Sequence, residues 1–361
     1  MAEVSNVEVV VIGAGQAGLS AAHFLARFGL RPGEDFVVLD SAHQPGGAWQ
    51  HRWPSLTLAT VNGVSDLPGL PFADVVDTTR GEVTAAEAVP RYYAAYEDKF
   101  GLDVRRPVAV RVVCGPHEDD RFQVESSAGT WRARGLINAT GTWEKPFIPF
   151  YPGADTFRGR QLHTRDYTTA DEFRGKHTVV VGGGISAIQL LDEVSRITST
   201  TWVTRSEPRF REGPFDAGEG RRAVALVEDR VRHGLPPGSV VSVTGLPVTP
   251  TVRAARERGV LVRRPMFARI EPEGVRWADG DYQHAEILFW CTGFRSSLDH
   301  LAPLALRGHG GGIVMTGRAA TQVAEQPRVH LVGYGPSAST IGANRAGRDA
   351  ARELLSTLGL R

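Results

Sequence analysis

The chain has 361 residues, enough for roughly two and a half domains of ordinary size. Its 41 basic and 40 acidic side chains leave a net charge of +1, which gives no reason to expect nucleic acid or an acidic membrane as a partner. With 42% hydrophobic residues the chain is globular, and its two cysteines, Cys114 and Cys291, are too few and too far apart for a disulfide framework or a cysteine zinc site.

Neither end of the sequence is typical of a targeting signal or a membrane anchor. Glu3 places an acid where a signal peptide carries basic residues. The apolar run 9–22 contains three glycines and is too short to span a bilayer. We interpret residues 354–361 as a short amphipathic tail. We therefore predict a cytoplasmic protein without a membrane anchor, and a homodimer is the default expectation for its assembly.

The first predicted elements form a strand–turn–helix–strand unit. Residues 7–12 are a β-branched run, as in a parallel strand buried on both faces. A glycine turn at 13–18 follows, then a helical pattern through Phe28. The second strand, 36–39, ends in Asp40. The unit has the length of a βαβ motif.

The glycine turn carries the spacing of a dinucleotide-binding motif. Gly13 permits the tight turn, Gly15 lets the backbone approach a diphosphate, and Gly18 lets the helix and strand pack closely. Asp40 lies 22 residues beyond Gly18, where a carboxylate accepts hydrogen bonds from ribose hydroxyls and repels a 2′-phosphate. The motif therefore predicts FAD or NAD and disfavours NADP.

Supporting elements follow, and then a second unit of the same kind. We predict a helix at 86–100 and strands at 108–113, 122–125 and 131–137. The second unit has a strand at 178–181, a GxGxxA turn at 182–187, a helix at 188–196 and a strand at 201–204. The fold class is therefore α/β, with two dinucleotide-binding, Rossmann-like domains.

The second turn differs from the first at the end of its second strand. Arg205 and Ser206 stand where the first unit has an acid, and a guanidinium can pair with a 2′-phosphate. The second site therefore predicts NADPH, with Gly182, Gly184, Ile185, Ser186, Arg205 and Ser206 as binding residues. We interpret Arg209 and Arg211 as surface arginines. Residues 207–250, rich in Pro, Gly and Arg, are a long insertion typical of a lid or a mobile loop.

Five further motifs are spread along the chain. Phe157, Gly159, His163 and Tyr167 form the pattern FxGxxxHxxx(Y/F), just before the second βαβ unit. The other four are Gly46-Gly47-Ala48-Trp49, Ala139-Thr140-Gly141, Cys291-Thr292-Gly293-Phe294 and Gly333-Tyr334-Gly335. These motifs, in this order and covering nearly the whole chain, resemble those of flavin-containing monooxygenases, most of all the small bacterial members. The sequence departs from the family at Thr168 and lacks the Trp-Pro pair of the larger Baeyer–Villiger enzymes.

The resemblance implies an FAD domain (1–152 and 286–361) with an inserted NADP domain (153–285) that carries the lid-like insertion. It assigns FAD binding to Gly13, Gly15, Gln16, Gly18, Asp40, Gly47, Ala48, Trp49, Trp53, Val110, Thr140, Gly141, Gly333, Gly335 and Ile341. Trp49 and Trp53 are candidates for an apolar flavin edge, although packing explains a tryptophan beside Pro54 equally well.

The resemblance also implies a reaction. NADPH reduces FAD, and a C4a-(hydro)peroxyflavin then transfers one oxygen atom to a small soft nucleophile or a ketone, by sulfoxidation or Baeyer–Villiger oxidation. Asn62 lies about one residue from the position where larger members place an asparagine over the flavin, and is a candidate catalytic residue. His163 is a second candidate, which we interpret as a structural or coupling residue. No metal is expected.

Two other enzyme classes share the fold. An NADPH oxidase or quinone reductase would use the same cofactors without productive oxygen transfer, and the sequence leaves this alternative open. A reductase similar to thioredoxin reductase needs a CxxC pair, which the spacing of Cys114 and Cys291 does not provide. The expected partners are a small-molecule substrate and molecular oxygen.

Overall fold

The computed structural model describes residues 4–61, 63–116, 119–212, 217–238 and 245–360. At positions 217–221, 223, 340 and 341 it describes the backbone alone. The candidate catalytic residue Asn62 lies outside the described residues. Within those ranges, helices alternate with mostly parallel strands, which confirms the α/β class predicted from the sequence.

Six α-helices and nineteen strands are described. The helices are α1 (Gln16–Arg27), α2 (Ala85–Phe100), α3 (Ile185–Val194), α4 (Ala217–Arg232), α5 (Pro250–Glu257) and α6 (Thr340–Thr357). The first nine strands are β1 (Val4–Ile12), β2 (Phe36–Leu39), β3 (Val104–Arg105), β4 (Val110–Cys114), β5 (Phe122–Ser126), β6 (Gly129–Asn138), β7 (Arg160–His163), β8 (Thr178–Val181) and β9 (Thr200–Thr204). The others are β10 (Phe210–Arg211), β11 (Leu246–Pro247), β12 (Arg263–Pro265), β13 (Arg269–Glu271), β14 (Gly274–Arg276), β15 (Tyr282–His284), β16 (Ile287–Trp290), β17 (Met315–Thr316), β18 (Gln322–Val323) and β19 (Val329–Leu331).

The chain forms two compact units. Unit 1 comprises Met1–Thr142, Val224–Gly238 and Ser296–Arg361, and unit 2 comprises Trp143–Ala223 and Ser239–Arg295. The chain leaves unit 1 after Thr142, re-enters it for Val224–Gly238 and returns to it at Ser296. The domain boundaries expected from the sequence each lie ten residues from those of the units: 152 against 142, and 285 against 295.

Unit 1 is built on one sheet with the strand order β17-β18-β19-β6-β1-β2-β3, to which β5 and β4 add as an antiparallel extension of β6. The strands from β19 to β3 are parallel. Ile12 lies opposite Leu39 on one side and Asn138 on the other, and Leu331 also lies opposite Asn138. Because these residues are the last of their strands, the segments that follow all begin at one edge of the sheet.

The C-terminal residues belong to the core of unit 1. Helix α6 continues to Thr357, and Leu354, Leu355 and Leu358 are buried among the residues of α1 and β1. The segment 354–361 is amphipathic as expected but is not a separate tail, because its leucines supply part of the apolar layer over the parallel sheet. The helix buries them on one face and leaves Glu353 and Ser356 on another.

Unit 2 contains a parallel sheet with the strand order β12-β9-β8-β16-β7. Helix α3 begins at Ile185, three residues earlier than the sequence pattern predicts, because Gly184 is its N-cap. A small antiparallel sheet, β13-β14-β15, supplies Ile270 and Val275 to the core beside the parallel sheet, and Phe267 joins them from just before β13. The second βαβ unit is thus present where the sequence places it.

The family fingerprint proves to be the edge strand of this sheet and its two ends. β7 runs from Arg160 to His163 along β16. A Cβ on Gly159 would lie 2.3 Å from the carbonyl oxygen of Glu286 and 2.6 Å from the ring of Phe157, so only glycine fits there. Tyr167 is buried, stacks on Phe289 and donates to Glu193 at 2.7 Å. The spacing of the motif therefore follows from the contacts of this edge strand: Gly159 packs on Glu286 just before β7, and Tyr167 packs on Phe289 just after it.

Part of the predicted lid is a packed helix of unit 1. Val227 and Val231 on α4 are fully buried, and Val231 contacts the turn at Gly335. The amide of Gly312 donates to the carbonyl of Gly234 at 3.0 Å. The sequence assigned the whole of 207–250 to the NADP domain, but the apolar face of α4 places 224–238 in unit 1 instead. Residues 213–216 and 239–244 lie outside the described residues.

Among the described residues, no helix is both long enough and apolar enough to cross a membrane.

Candidate functional site

The first glycine turn lies at the carboxyl end of β1, and two of its glycines are required by the protein's own packing. Gly13 has φ +98°, and a Cβ there would lie 2.7 Å from the carbonyl oxygen of Ala139. A Cβ on Gly18 would lie 1.8 Å from the carbonyl oxygen of Gly13. These two residues therefore let β1, β6 and α1 meet closely.

Gly15 has no such internal reason to be glycine. It is the N-cap of α1 with an ordinary φ of −80°, and a Cβ there would have no atom within 4 Å. The turn of unit 2 repeats this pattern: Gly182 (φ +143°) packs on the carbonyl of Cys291, whereas Gly184 (φ −98°) faces open space. An open space at the N-terminus of a helix, next to backbone amides, fits a diphosphate. Both turns therefore have room for the diphosphate of a dinucleotide.

Asp40 closes the first turn onto β2. Its carboxylate accepts the amide of Ala14 at 2.5 Å and that of Ala42 at 2.8 Å, and Arg106 lies 3.8 Å away. Arg106 is held in turn by two hydrogen bonds to Glu97, at 2.6 and 2.7 Å. A carboxylate oxygen can accept two hydrogen bonds, and each oxygen of Asp40 accepts one backbone amide. Each oxygen can therefore accept one more hydrogen bond from a ribose hydroxyl.

The segment 46–49 reaches the same turn. A Cβ on Gly47 would lie 3.0 Å from Cα of Gly15, so the two backbones approach closely. Ala48 and Trp49 are half-buried in a 3₁₀ turn that begins at Gly47. Trp53 is only 4% exposed, which favours a packing role for this tryptophan over a place at an open flavin edge.

The segment after β6 is fixed by a chain of hydrogen bonds within unit 1. Thr140 Oγ1 donates to the carbonyl of Ser297 at 2.5 Å and accepts from Asn138 Nδ2 at 3.0 Å. The carbonyl of Gly141 accepts the amide of Ser297 at 2.9 Å. Asn138 Oδ1 lies 2.7 Å from His300 Nε2, and burial lowers the pKa of His300 to about 4, so this ring is neutral and donates.

The remaining predicted FAD residues lie on neighbouring elements of unit 1. Gly333 follows β19 and has φ +70°. A Cβ on Gly333 would lie 3.6 Å from Cβ of Ala17 on α1. Gly335 begins a short 3₁₀ turn, and Ile341 lies in the first turn of α6, although its side chain is outside the described set. Val110 is half-buried at the start of β4. Two residues earlier, the amide of Val108 donates to the carbonyl of Asp40.

The predicted NADP residues gather at the carboxyl edge of the unit 2 sheet. Ile185 and Ser186 form the first turn of α3, next to Gly184. Arg205 and Ser206 follow β9 and are exposed. Arg209 is also exposed and Arg211 is partly buried.

Sequence reasoning missed Arg263. This residue lies on β12, the strand that pairs with β9, and its guanidinium donates to Thr204 Oγ1 at 2.7 Å and to the Thr204 carbonyl at 3.3 Å. It therefore places a second guanidinium beside the strand end that precedes Arg205. No motif marks it, and only the pairing of two strands about 60 residues apart reveals its position.

His163 is almost completely buried, and both of its ring nitrogens are engaged. Nδ1 accepts the amide of Arg165 at 3.1 Å, so Nε2 carries the proton and donates to the carbonyl of Gly293 at 2.9 Å. Burial lowers the pKa of His163, which keeps the ring neutral. The imidazole thus ties the end of β7 to the segment after β16.

The two cysteines are free thiols in different units. Cys114 is half-buried on β4, and Cys291 is buried after β16. Burial raises the pKa of Cys291 to about 12, so at neutral pH it is a thiol and not the thiolate that disulfide chemistry needs.

Comparison with known proteins agrees with this geometry. The pyridine nucleotide-disulphide oxidoreductase family model matches residues 10–215. A flavin-containing monooxygenase from Stenotrophomonas maltophilia is 38% identical, with a TM-score of 0.81 over 98% of this chain and 99% of that one. A Baeyer–Villiger monooxygenase from Streptomyces coelicolor is 31% identical over 64% of this chain and 43% of its own. Bacillithiol disulfide reductase from Staphylococcus aureus shares the fold at 17% identity, with a TM-score of 0.70 over 98% of this chain and 99% of that one. The chain belongs to the pyridine nucleotide-disulphide oxidoreductase family and, within it, is a flavin-containing monooxygenase, an enzyme of a kind that uses FAD and NADPH.

Proposed function

We propose that this enzyme uses NADPH and FAD to transfer one oxygen atom from O₂ to a small soft nucleophile or ketone, by sulfoxidation or Baeyer–Villiger oxidation. The observation that carries the proposal is the pair of glycine turns, each with an open space at its second glycine. The first ends in the acid Asp40, and the second is flanked by Arg205 and Arg263. Two distinct dinucleotides are what hydride transfer between them requires.

The charge at the second site favours NADPH over NADH. Arg205 is exposed, and Arg263 lies against the end of the same strand, so two guanidinium groups are available to a 2′-phosphate. Guanidinium pairs well with phosphate because its donors match the oxygens in geometry and charge. Asp40, buried at the corresponding strand end of unit 1, repels a 2′-phosphate and favours the adenosine of FAD.

The protein's contribution is to bind and orient these groups. FAD supplies the redox and oxygen-transfer chemistry when it is bound. The amide groups at the starts of α1 and α3 hold the diphosphates. The hydrogen bond from Thr140 to the carbonyl of Ser297 fixes the backbone after β6. The half-buried Trp49 offers an apolar surface that excludes water near the first turn. His163 is engaged at both nitrogens and moves no proton in this scheme.

A turnover assay with product analysis tests the proposal. The FAD-loaded enzyme is given NADPH with either a thioether or a strained cyclic ketone, and NADPH, hydrogen peroxide, sulfoxide and lactone are all quantified. We expect sulfoxide, lactone or both to account for most of the NADPH consumed. If peroxide accounts for all of it with every substrate tried, the chain is an NADPH oxidase or quinone reductase of this fold.

A further inference from the structure

Helix α2 buries three tyrosines, and their hydroxyl groups have different tasks. Tyr92, Tyr93 and Tyr96 are each 0% exposed, so each hydroxyl needs a partner inside the protein. Tyr92 accepts the amide of Leu67 at 2.6 Å and donates to the carbonyl of Leu70 at 2.5 Å. Tyr96 donates to the carbonyl of Pro68 at 2.8 Å. These two tyrosines hold the loop 67–70.

Tyr93 instead contacts the first glycine turn. Its hydroxyl donates to Gln16 Oε1 at 2.7 Å. Gln16 is the first residue of α1, directly after Gly15. The other end of the Gln16 amide donates to Asn344 Oδ1 on α6 at 2.9 Å and to the carbonyl of Ser65 at 3.3 Å. Because both ends of the amide are engaged, the Tyr93 hydroxyl fixes the orientation of Gln16.

The 46–49 segment meets α2 at the same place. A Cβ on Gly46 would lie 2.7 Å from the ring of Pro90, one helical turn before Tyr93. A Cβ on Gly47 would lie 3.0 Å from Cα of Gly15, directly before α1. Helix α2 therefore contacts both segments: Pro90 packs against Gly46, and the Tyr93 hydroxyl binds Gln16 at the start of α1.

We propose that Tyr93 is a positioning residue of the FAD site, whose hydroxyl sets the orientation of Gln16 at the start of α1. The proposal rests on the assignment of Gln16 to FAD, but not on the type of oxygen transfer. Tyr93 itself touches no reacting atom. Its effect reaches the cofactor through Gln16, so it acts on how tightly and in what environment the flavin is held.

Removing one hydroxyl tests the proposal, with a neighbouring tyrosine as the matched control. In Tyr93→Phe, Gln16 Oε1 loses its partner, and FAD should bind roughly five- to tenfold more weakly, with a shifted visible flavin spectrum. Tyr92→Phe removes an equally buried hydroxyl from the same helix. Tyr92→Phe should lower the melting temperature about as much as Tyr93→Phe does, but it should leave the FAD dissociation constant and spectrum unchanged.

A double-mutant cycle approaches the same contact from the other side. Gln16→Leu should weaken FAD binding, and adding Tyr93→Phe should weaken it little further, because the second change removes a contact that is already lost. Equal FAD affinity and spectra in Tyr93→Phe and Tyr92→Phe, or independent additive losses in the cycle, would overturn the proposal. A wild-type protein that binds no FAD would overturn it together with the FAD assignments. FAD binding without oxygen transfer would contradict only the proposed reaction.

Discussion

Substitutions at Gly15 and Gly184 should change cofactor binding without changing the stability of the protein. Both have ordinary φ angles and open space where a Cβ would lie. Gly15→Ala should leave the melting temperature nearly unchanged and weaken FAD by roughly ten- to a hundredfold, because the methyl group intrudes on the bound diphosphate. Gly184→Ala should do the same to NADPH, as measured by titration calorimetry with NADP⁺.

Each variant is the control for the other, since Gly15→Ala should spare NADP⁺ binding and Gly184→Ala should spare FAD. Gly18→Ala gives the opposite result: its Cβ would lie 1.8 Å from a backbone carbonyl, so it should destabilise the fold itself. If Gly15→Ala and Gly184→Ala retain wild-type affinity for both dinucleotides, the diphosphates lie elsewhere.

Arg205 tests which coenzyme the second site reads. A hydrogen bond to a charged group contributes roughly 1.5–3 kcal/mol, and each ~1.4 kcal/mol is a tenfold change in binding. Arg205→Ala should therefore weaken NADPH by about ten- to a hundredfold and leave NADH nearly unchanged, as measured by KM for flavin reduction. Arg209→Ala removes another exposed arginine just beyond the same strand and is the matched control.

Equal loss for NADPH and NADH in Arg205→Ala would show that this guanidinium does not read the 2′-phosphate. Arg263 would then remain as the group that does so, because it is held against Thr204 by two hydrogen bonds. The comparison of the two arginines thus decides between a residue found by motif and one found by strand pairing.

At the scale of single elements, local patterns were the most predictable. The strand at 36–39 has the predicted bounds, and α2 begins one residue before the prediction. Both glycine turns could be found because their residues are adjacent in the chain. Arg263, Tyr93 and His300 could not, since their partners Thr204, Gln16 and Asn138 lie between 59 and 162 residues away. Such contacts depend on tertiary packing, which no spacing rule encodes.

The strand β19 carries a histidine that makes the stability of unit 1 depend on pH. His330 is 0% exposed, and burial lowers its pKa to about 3, so it stays neutral in the folded protein. The unfolded chain binds a proton near pH 6.5, and the folded chain does not. The free energy of unfolding should therefore fall as the pH falls below 6.5, by roughly 1.4 kcal/mol per pH unit from this group.

Urea unfolding at pH 7, 6 and 5 measures that slope. His330→Leu should show a slope that is shallower by about the same 1.4 kcal/mol per pH unit below pH 6.5, whatever its stability at pH 7. Other groups titrate in both proteins and cancel in the comparison. Identical slopes for wild type and variant would mean that the His330 ring is protonated in the folded state.

For the whole molecule, the arrangement follows from where strands end. In each unit, the glycine turn begins at the carboxyl edge of a parallel sheet. The residue that follows the next strand lies at the same edge, Asp40 in unit 1 and Arg205 in unit 2. The sequence predicted both units because each βαβ motif is local. It could not predict that 224–238 packs in unit 1, because the apolar face of α4 does not reveal which of two cores it covers.

Oxygen-isotope labelling of the product tests whether this enzyme transfers oxygen from O₂ to its substrate. The FAD-loaded enzyme turns over NADPH and a thioether under ¹⁸O₂ in ordinary water, and the sulfoxide is analysed by mass spectrometry. We expect one ¹⁸O atom in each sulfoxide molecule and one sulfoxide for each NADPH consumed. Sulfoxide without label, or NADPH consumption that ends only in labelled hydrogen peroxide, would contradict it.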